Sequence, residues 1–431
     1  MQRKTWLYIL AFVGVLISAL YVEALLLKDL RANTIAFEYV FIALFGLYLA
    51  AAFIIFYKQL PQKQTLTIII AVSIIIRLLM TLSVPTLSDD IYRYAWDGKI
   101  QTAGFNPYMH SPDDKALSGL RDKEVYAGIF EKKGSSIYPP VSQAFFFISA
   151  LPDVRPVYVL KLLLSLVDIA SIVLLVFILK HLKMDPNRIV FYAWNPLVIF
   201  EISHSGHIDG LVVFFLLAAI LLRLKDRSFS SGAFSGLAIG TKIFPAILLP
   251  ALIKKRDFKM PAGIAVALGL AYLPYIKAGK TLLPLFASTS GPRFNAGLKY
   301  FLELFVGGQS PAFDAVYKYI VLAVIASAAV ALYMRDEKDD RFVMDGCFLM
   351  SALYVVLLPF MAPWYLVFLI PFLAYRPSPA FLYLSGAVML SYLFYATLPL
   401  HYPEWVRYAQ YVPFFGILGF QGIRRMIRSL T

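Results

Sequence analysis

Long apolar runs separated by short polar segments make up most of the chain. Runs of spanning length occur near 5–27, 36–57, 64–84, 156–179, 188–206, 208–224, 259–276, 314–334, 342–360, 363–376, 379–400 and 407–425. A membrane-spanning helix requires about 20 predominantly apolar residues, so the pattern predicts an all-α, multi-pass membrane protein with about twelve transmembrane helices. The first run follows a basic start and lacks a small-residue cleavage site, so we expect a retained helix rather than a signal peptide.

Segments rich in lysine and arginine separate several of these runs. Because such loops stay in the cytoplasm, we expect both termini and the loops KQLPQK, KHLKMDPNR, RLKDRS and KKRDFK to be cytoplasmic. The same assignment places the slightly acidic loop RDEKDDR (335–341) in the cytoplasm. The large polar segments then share the outer side.

Two segments do not fit simple counting. Segment 136–152 is apolar but short, so we expect a juxtamembrane helix along the outer surface. Segment 230–253 is long enough to span, but it has basic flanks on both sides and is interrupted by Lys242 and Pro245. We predict a broken helical hairpin with Lys242 near its tip, and a single crossing is the alternative.

The predicted topology divides the chain into five parts. N-terminal helices occupy 1–84, and a first outer loop with juxtamembrane helices occupies 85–155. A helical module with the broken hairpin (156–276), a second outer loop (277–312) and C-terminal helices (313–431) follow.

Composition supports a membrane protein and argues against other classes. Of the 431 residues, 60% are hydrophobic and 15% are charged, which is too apolar for a soluble domain. The formal net charge of +14 reflects cations at cytoplasmic helix ends, and no basic stripe interleaved with stacking aromatic residues indicates nucleic-acid binding. Cys347 is the single cysteine, which excludes an internal disulfide and a cysteine-based metal site.

A dense group of charges follows the third apolar run, in LSDDIYRYAWDGKIQTAGFNPY (87–108). Asp89 and Asp90 are expected near the outer membrane surface, where a partly desolvated carboxylate can act as a general base for a hydroxyl group. The alternative is that they cap the following helix. Asp89, Arg93 and Asp97 recur at every fourth position and share one helix face, and Gly104 is suited to end the helix.

Further ionisable residues occupy apolar surroundings. His204, His207 and Asp209 in HSGHIDG have a spacing that metal ligands use, although the motif is short. Asp209 heads an apolar helix, where an acid needs a partner. Lys242 lies between two apolar runs and is a functional candidate, with snorkelling to the interface as the alternative.

Cations of the predicted outer segments could bind a phosphate group together with Lys242. Arg93 and Arg293 would contribute two-pronged hydrogen bonds, and Lys299 would contribute a point charge. An irregular translocated loop is the alternative explanation for Arg293 and Lys299.

Aromatic and polar side chains supply the remaining candidates. Trp364 and Tyr365 in MAPWYLVF are typical of a membrane-interface belt, and the alternative is a platform for a sugar ring. The other substrate-binding candidates are Tyr94, Asp97, Asn106, Tyr138, His204, His207 and Asp209, and no metal ligand is assigned.

The order of these motifs resembles that of the glycosyltransferase C superfamily. SDDIYRYAWDGKIQTAGFNPY (88–108) is followed by YPP (138–140), WNP (194–196), GHIDG (206–210), SGLAIGTKIFPAILLP (235–250) and PWY (363–365). The series looks most similar to bacterial polyprenol-phosphate-mannose-dependent mannosyltransferases. The resemblance implies a catalytic acid at Asp89 or Asp90, a second acid at Asp209 and a lysine at Lys242.

The resemblance also implies a function. It is the transfer of a hexose, with mannose expected, from a polyprenyl-phosphate donor to a hydroxyl of a glycan, glycolipid or protein. Transfer would proceed with inversion at the outer face of a bacterial plasma membrane. No cofactor is assigned, and the participation of a divalent metal ion stays open. The alternatives are a lipid or solute transporter, for which internal repeats are typical, and a polysaccharide ligase or polymerase that uses lipid-diphosphate donors.

Overall fold

The chain folds into helices joined by loops. A computed structural model describes residues 2–430 except 59, 153, 283–293, 309 and 337, and the described residues include no β-strand. The longer helices are Gln2–Leu26, Thr34–Tyr57, Gln62–Thr81, Asp90–Thr102, Pro140–Ala150, Pro156–His181, Asp209–Leu224, Ser228–Thr241, Lys259–Tyr272, Leu298–Phe305, Pro311–Tyr333, Asp340–Leu357, Pro379–Ala387 and Glu404–Leu430. The predicted all-α class is confirmed.

Short helical turns fill several connections. Four-to-six-residue α-helical turns are Val125–Gly128, Val190–Ala193, Pro196–Ile199, Leu249–Leu252 and Ile370–Tyr375. The 3-10 segments are Lys115–Leu120, Pro186–Ile189, Phe244–Leu248, Leu273–Leu282, Pro363–Leu369 and Val388–Ala396, and Phe200–His204 is a π-helical turn.

Apolar helices identify the chain as a membrane protein. Among the described residues, seven helices are long and apolar enough to cross a membrane, or eight if one bent pair counts as a span. The seven are Lys4–Leu26, Thr34–Tyr57, Gln62–Thr81, Pro156–His181, Lys259–Gly279, Pro311–Tyr333 and Pro379–Ala396. The predicted count of about twelve is not confirmed, because several of the predicted runs form short or broken helices.

The predicted run 188–206 illustrates this difference. It is not one helix, because Pro196 lacks a backbone N–H and interrupts the ladder after Asn195. The Asn195 side chain accepts a hydrogen bond from the Leu197 N–H at 3.1 Å and starts the next turn. Pro196–His204 and Asp209–Leu224 then form the bent pair, at an angle of 116°.

The basic loops gather at one end of the molecule. Ion pairs and hydrogen bonds join neighbouring loops there: Gln62 to Asp185 at 3.2 Å, His181 to Asp340 at 3.0 Å, Lys254 to Asp226 at 2.7 Å and Lys255 to Asp336 at 2.6 Å. The acidic loop after Tyr333 therefore lies beside the basic loops, and the side of the membrane that these loops face stays a prediction.

The large polar segments lie at the opposite end. The helix Asp90–Thr102, called the acidic helix below, begins at this end. The loop after Leu26 contacts its N-cap residue, with Arg31 2.8 Å from Asp89, and the Leu30 N–H donates to Thr86 Oγ1 at 2.9 Å. Tyr275 donates to Gln101 Oε1 at 2.7 Å and joins the acidic helix to the segment after Lys259–Tyr272. The acidic helix ends as predicted, with Gly104 in the left-handed region at φ +85°.

Segment 228–253 has contacts at both ends of the helix Asp209–Leu224. Arg223, near the basic end, donates to the Leu252 carbonyl at 2.6 Å, whereas Lys242 pairs with Asp209 at the other end of helix Asp209–Leu224. The helix Ser228–Thr241 stops at Lys242, which is extended, and the following turns run to Leu252. How this bent segment sits in a membrane stays a prediction.

A buried ion pair stabilises the core. Arg77 Nε donates to Asp168 Oδ2 at 2.6 Å, and both side chains are fully buried. Tyr192 donates to the other Asp168 oxygen, and Arg77 Nη1 donates to the Ala193 carbonyl at 2.8 Å. The pair therefore links three segments that are distant in sequence.

Neutralising Asp168 tests how much this ion pair contributes to stability. We expect Asp168→Asn to lower the free energy of unfolding by about 3–5 kcal/mol, because Arg77 is left buried without a carboxylate. The half-buried pair Arg376–Asp345, with an N–O distance of 2.7 Å, is the control nearer to solvent, and Asp345→Asn should cost about 1 kcal/mol or less. Thermal unfolding in detergent measures both variants, and equal melting temperatures would contradict this account.

Candidate active site

Asp89 and Asp90 begin the helix Asp90–Thr102 but make different contacts. Asp89 occupies the N-cap position without a capping hydrogen bond, and its carboxylate accepts from Arg31 at 2.8 Å. Asp89 therefore lies at the N-cap, as the capping alternative expects, but its described side-chain contact is with Arg31. Asp90 keeps 38% of its side chain exposed, and Tyr94 Oη lies 3.4 Å from Asp90 Oδ2.

The surroundings of Asp90 favour its protonated form. Burial raises the pKa of Asp90 to about 6, Lys242 acts in the opposite direction, and the carboxylates of Asp209 and Asp89 add to the increase. Since 38% of the side chain is exposed, the carboxyl group can exchange its proton with water. A carboxyl group in this range is ionised at neutral pH and still basic enough to accept a proton.

His207 lies between two carboxyl groups. Its Nδ1 is 3.7 Å from Asp90 Oδ2, and its Nε2 is 3.4 Å from Glu201 Oε2. The imidazole is fully buried and stacks on Trp364, with ring centroids 4.1 Å apart. The stack fixes the plane of the ring, and the membrane-belt interpretation of Trp364 does not account for this contact.

The backbone around residue 206 creates this arrangement. The π-helical turn Phe200–His204 ends with the His207 N–H donating to the Glu201 carbonyl at 2.9 Å. Gly206 has φ +74°, in the region that favours glycine. A Cβ atom at this position would lie 2.3 Å from Ile91 Cδ1, on the acidic helix. The chain therefore approaches the acidic helix closely where His207 projects.

Asp209 and Lys242 form a buried ion pair. The Lys242 ammonium donates to Asp209 Oδ2 at 2.6 Å, and the two side chains are 15% and 1% exposed. Tyr365 adds a cation–π contact, with Lys242 Nζ 5.7 Å from the ring centroid. Lys242 and Asp209 both act electrostatically on Asp90, so base and cation belong to one cluster.

Aromatic rings surround the Asp90 side of the cluster. Tyr94 stacks on Phe146, with centroids 4.7 Å apart, and meets the edge of Tyr138 at 4.8 Å. These contacts hold Tyr94 beside Asp90. Tyr94 and Tyr138, both predicted to bind substrate, therefore lie next to the predicted base.

Arg93 and Asp97 stabilise the loop 85–155 through contacts within it. Arg93 Nε donates to Asp97 Oδ1 at 2.8 Å, and its Nη1 donates to the Gly134 carbonyl at 3.0 Å. Gln143 donates to the other Asp97 oxygen at 2.9 Å. Asn106 accepts from the Tyr108 N–H at 3.0 Å and shapes a turn. The described contacts of Arg93, Asp97 and Asn106 are thus with the loop itself.

The other predicted cations lie elsewhere. Lys299 is 2.8 Å from Asp314 and 3.5 Å from Glu303, so acids already neutralise it outside the cluster. Arg293 falls outside the described residues.

The side chains of His204, His207 and Asp209 do not meet at one site, although the residues are close in sequence. His204 Nδ1 lies 2.7 Å from Ser83 Oγ, whereas His207 faces Asp90 and Asp209 faces Lys242. Within the described ranges, no group of three or more histidine, cysteine or acidic side chains is placed to hold a metal ion.

Three residues of the site were missed by sequence analysis. Glu201 lies in an apolar run, and an acid in such a run is a signal that could have been used. Arg31 lies in a predicted outer loop, where a cation departs from the positive-inside trend. Tyr392 donates to Glu201 Oε1 at 2.8 Å from a segment almost 200 residues away, and no local pattern predicts it.

A family model overlaps most of this cluster. The model described as alpha-(1->6)-mannopyranosyltransferase, N-terminal domain, matches residues 8–255. This range is more than half of the chain and contains Asp90, Glu201, His207, Asp209 and Lys242.

A curated relative shows a weaker similarity. The alpha-(1->6)-mannopyranosyltransferase A of Mycobacterium tuberculosis (strain ATCC 25618 / H37Rv) is 22% identical over 320 residues, which cover 66% of this chain and 61% of that protein. The chain therefore spans less than two thirds of the length of this relative.

Replacing Gly206 tests how the backbone positions His207. We expect Gly206→Ala to lower the melting temperature and to reduce any activity, because the added methyl group overlaps the buried Ile91 and alanine disfavours φ +74° by about 1–2 kcal/mol. Gly104 has φ +85° and open space around it, so Gly104→Ala is the control for backbone strain alone. Equal shifts of the melting temperature in the two variants would contradict a steric role for Gly206.

Proposed function

Since the chain belongs to the alpha-(1->6)-mannopyranosyltransferase family, we propose that it transfers a mannosyl residue from a polyprenyl-phosphate donor to a hydroxyl group of a glycan or glycolipid acceptor. The observation that carries the proposal is the partly exposed Asp90 carboxyl group beside the buried Asp209–Lys242 pair. A base and a cation in one cluster suit an acceptor proton and a donor phosphate, respectively.

The proposed reaction is a single displacement. Asp90 removes the proton of the acceptor hydroxyl, and the oxygen attacks the anomeric carbon from the face opposite the phosphate. The bond from the anomeric carbon to the phosphate oxygen breaks, and the lipid phosphate leaves with the electron pair. One displacement inverts the configuration, so a β-linked donor gives the α-linkage in the family description. The phosphate is a good leaving group, so no general acid is needed, unlike in glycoside hydrolysis.

Two partly exposed cations support a binding site for the donor phosphate. Lys242 stays 15% exposed beside Asp209, and Arg31 stays 33% exposed beside Asp89. Arg31 also lies over the Tyr395 ring, 4.7 Å from its centroid. A phosphate that reaches either cation would share it with the carboxylate, so the negative charge that develops on the leaving group is stabilised.

The charge of the loops indicates which side of the membrane each end of the molecule faces. We place the basic end in the cytoplasm and the acidic helix outside, because lysine- and arginine-rich loops stay inside. Segment 228–253 is then a re-entrant hairpin with Lys242 at its tip, and the short and broken helices complete the crossings. The lipid tail of the donor would lie in the bilayer while its phosphate reaches Lys242, at the outer face of a bacterial plasma membrane.

Replacing Asp90 tests the proposed base. We expect Asp90→Asn to reduce kcat about 10²–10⁴-fold. In the wild type, kcat/KM should fall as the pH drops through about 6, because burial raises the pKa of Asp90 to that value and only the carboxylate accepts a proton. The assay follows transfer of labelled mannose from a polyprenyl-phosphate donor in detergent.

Asp114 provides the control for Asp90. It pairs with His110 at 2.7 Å in the same outer loop, so Asp114→Asn should leave kcat within about twofold. Wild-type turnover by Asp90→Asn would overturn the assignment of the base.

Replacing Lys242 tests the proposed phosphate site. We expect Lys242→Gln to lower kcat/KM about 10²–10³-fold, because a cation facing the leaving group is lost. The double variant Lys242→Gln/Asp209→Asn removes both charges, so it should recover melting temperature but not activity. Lys254→Gln, which breaks the 2.7 Å pair with Asp226 at the opposite end, is the matched control. Recovery of activity in the double variant would contradict a role for Lys242 in binding phosphate.

A further inference from the structure

His207 has no role in the displacement described above, although it is fully buried beside the proposed base. Its Nδ1 and Nε2 atoms are both buried, and neither has a hydrogen-bond partner among the described residues. Buried polar atoms in this condition are uncommon and costly. They lie 3.7 Å from Asp90 Oδ2 and 3.4 Å from Glu201 Oε2, so each nitrogen faces a carboxyl oxygen at more than hydrogen-bond length.

Glu201 is anchored behind the imidazole. Its side chain is fully buried, and Oε1 accepts a hydrogen bond from Tyr392 at 2.8 Å. Its Oε2 is buried without a hydrogen-bond partner and is the oxygen that faces His207 Nε2. The Glu201 carbonyl also accepts from the His207 N–H at 2.9 Å. The separation of Glu201 and His207 is therefore fixed by backbone as well as by side chains.

We propose that His207 and Glu201 form a proton relay behind Asp90 and take up the proton that Asp90 removes from the acceptor hydroxyl. This inference rests on the proposed function. His207 acts through Asp90 and does not touch the reacting atoms, so it is a positioning residue. The arrangement follows the same logic as hydrolase triads, in which a buried acid orients an imidazole and stabilises its charged form.

The relay conserves one proton. In the resting state His207 directs Nε2–H to Glu201 Oε2 and presents the lone pair of Nδ1 to Asp90. After Asp90 has taken the acceptor proton, it passes that proton to Nδ1 and becomes a carboxylate again. His207 is then an imidazolium between the Asp90 carboxylate and the carboxyl group of Glu201. When the product has left, the proton returns through Asp90, which is 38% exposed, to water.

The geometry permits this transfer. The Nδ1–Asp90 distance must shorten from 3.7 Å to about 2.9 Å, and such catalytic contacts commonly tighten when substrate binds. The Trp364 ring lies 4.1 Å from the imidazole at an interplanar angle of 18°, so it restricts the imidazole to motion close to its own plane. Burial lowers the pKa of the His207 imidazole, and Lys242 adds to this effect, so His207 is neutral in the resting state.

Steady-state kinetics of single and double variants test the relay. We expect His207→Gln and Glu201→Gln each to lower kcat about 10–100-fold with KM for donor and acceptor within about twofold, because binding contacts remain. The double variant should be no slower than the worse single variant, since the residues act as a unit. His181→Gln is the matched control, because His181 pairs with Asp340 at 3.0 Å at the opposite end.

Chemical rescue separates proton transfer from packing. His207→Ala leaves a space beside Trp364, and added imidazole should restore kcat. Pyrazole has the same size but is a far weaker base, so it should not restore kcat. Equal rescue by both rings would overturn the relay and assign His207 a packing role.

The outcomes also distinguish this inference from the proposed function. If the wild type transfers no mannose from polyprenyl phosphate, the proposed function fails. If the wild type is active and His207→Gln keeps the wild-type kcat, the proposed function stands and the relay is wrong.

Discussion

A lysine held between apolar helices needs an anionic partner, and the contact between Lys242 and Asp209 supplies it. Two charges with 15% and 1% exposure are costly to bury, and they are tolerated because their atoms meet at 2.6 Å. The pair joins the bend of segment 228–253 to the first residue of the helix Asp209–Leu224. It therefore fixes the position of one cation, and the same constraint brings that cation into the electrostatic range of Asp90.

Three carboxyl groups share this small region, and each is accommodated differently. Asp209 is paired with Lys242, Glu201 accepts from Tyr392, and Asp90 stays partly exposed with a pKa raised by burial to about 6. Different surroundings give chemically similar groups different roles. Only Asp90 combines access to solvent with the capacity to accept a proton near neutral pH.

Sequence analysis identified the groups whose signal is local. Asp209 and Lys242 are charges beside apolar runs, Asp90 belongs to a dense group of charges after such a run, and the all-α class follows from the long apolar runs. Contacts between distant segments could not be predicted in this way. The neutralisation of Lys299 by Asp314 depends on the path of the chain between them.

Long-range packing explains the remaining differences between sequence and structure. The stacking of Trp364 on His207 joins residues more than 150 positions apart, whereas the local motif suggests a membrane belt or a sugar platform for Trp364. The partners Arg77 and Asp168 are also far apart in sequence, although each is a charge within an apolar run. The break at Asn195–Pro196 shortens a run that hydrophobicity alone makes continuous.

The most direct test of the central claim compares sugar donors. Purified protein in detergent is incubated with a glycan acceptor and labelled mannose, supplied as polyprenyl-phosphate mannose, as a lipid-diphosphate sugar or as a nucleotide-diphosphate mannose. The account predicts that label enters an α-linked product only from polyprenyl-phosphate mannose, with free polyprenyl phosphate released in equal amount. Product from either of the other donors, or none from polyprenyl-phosphate mannose, would contradict it.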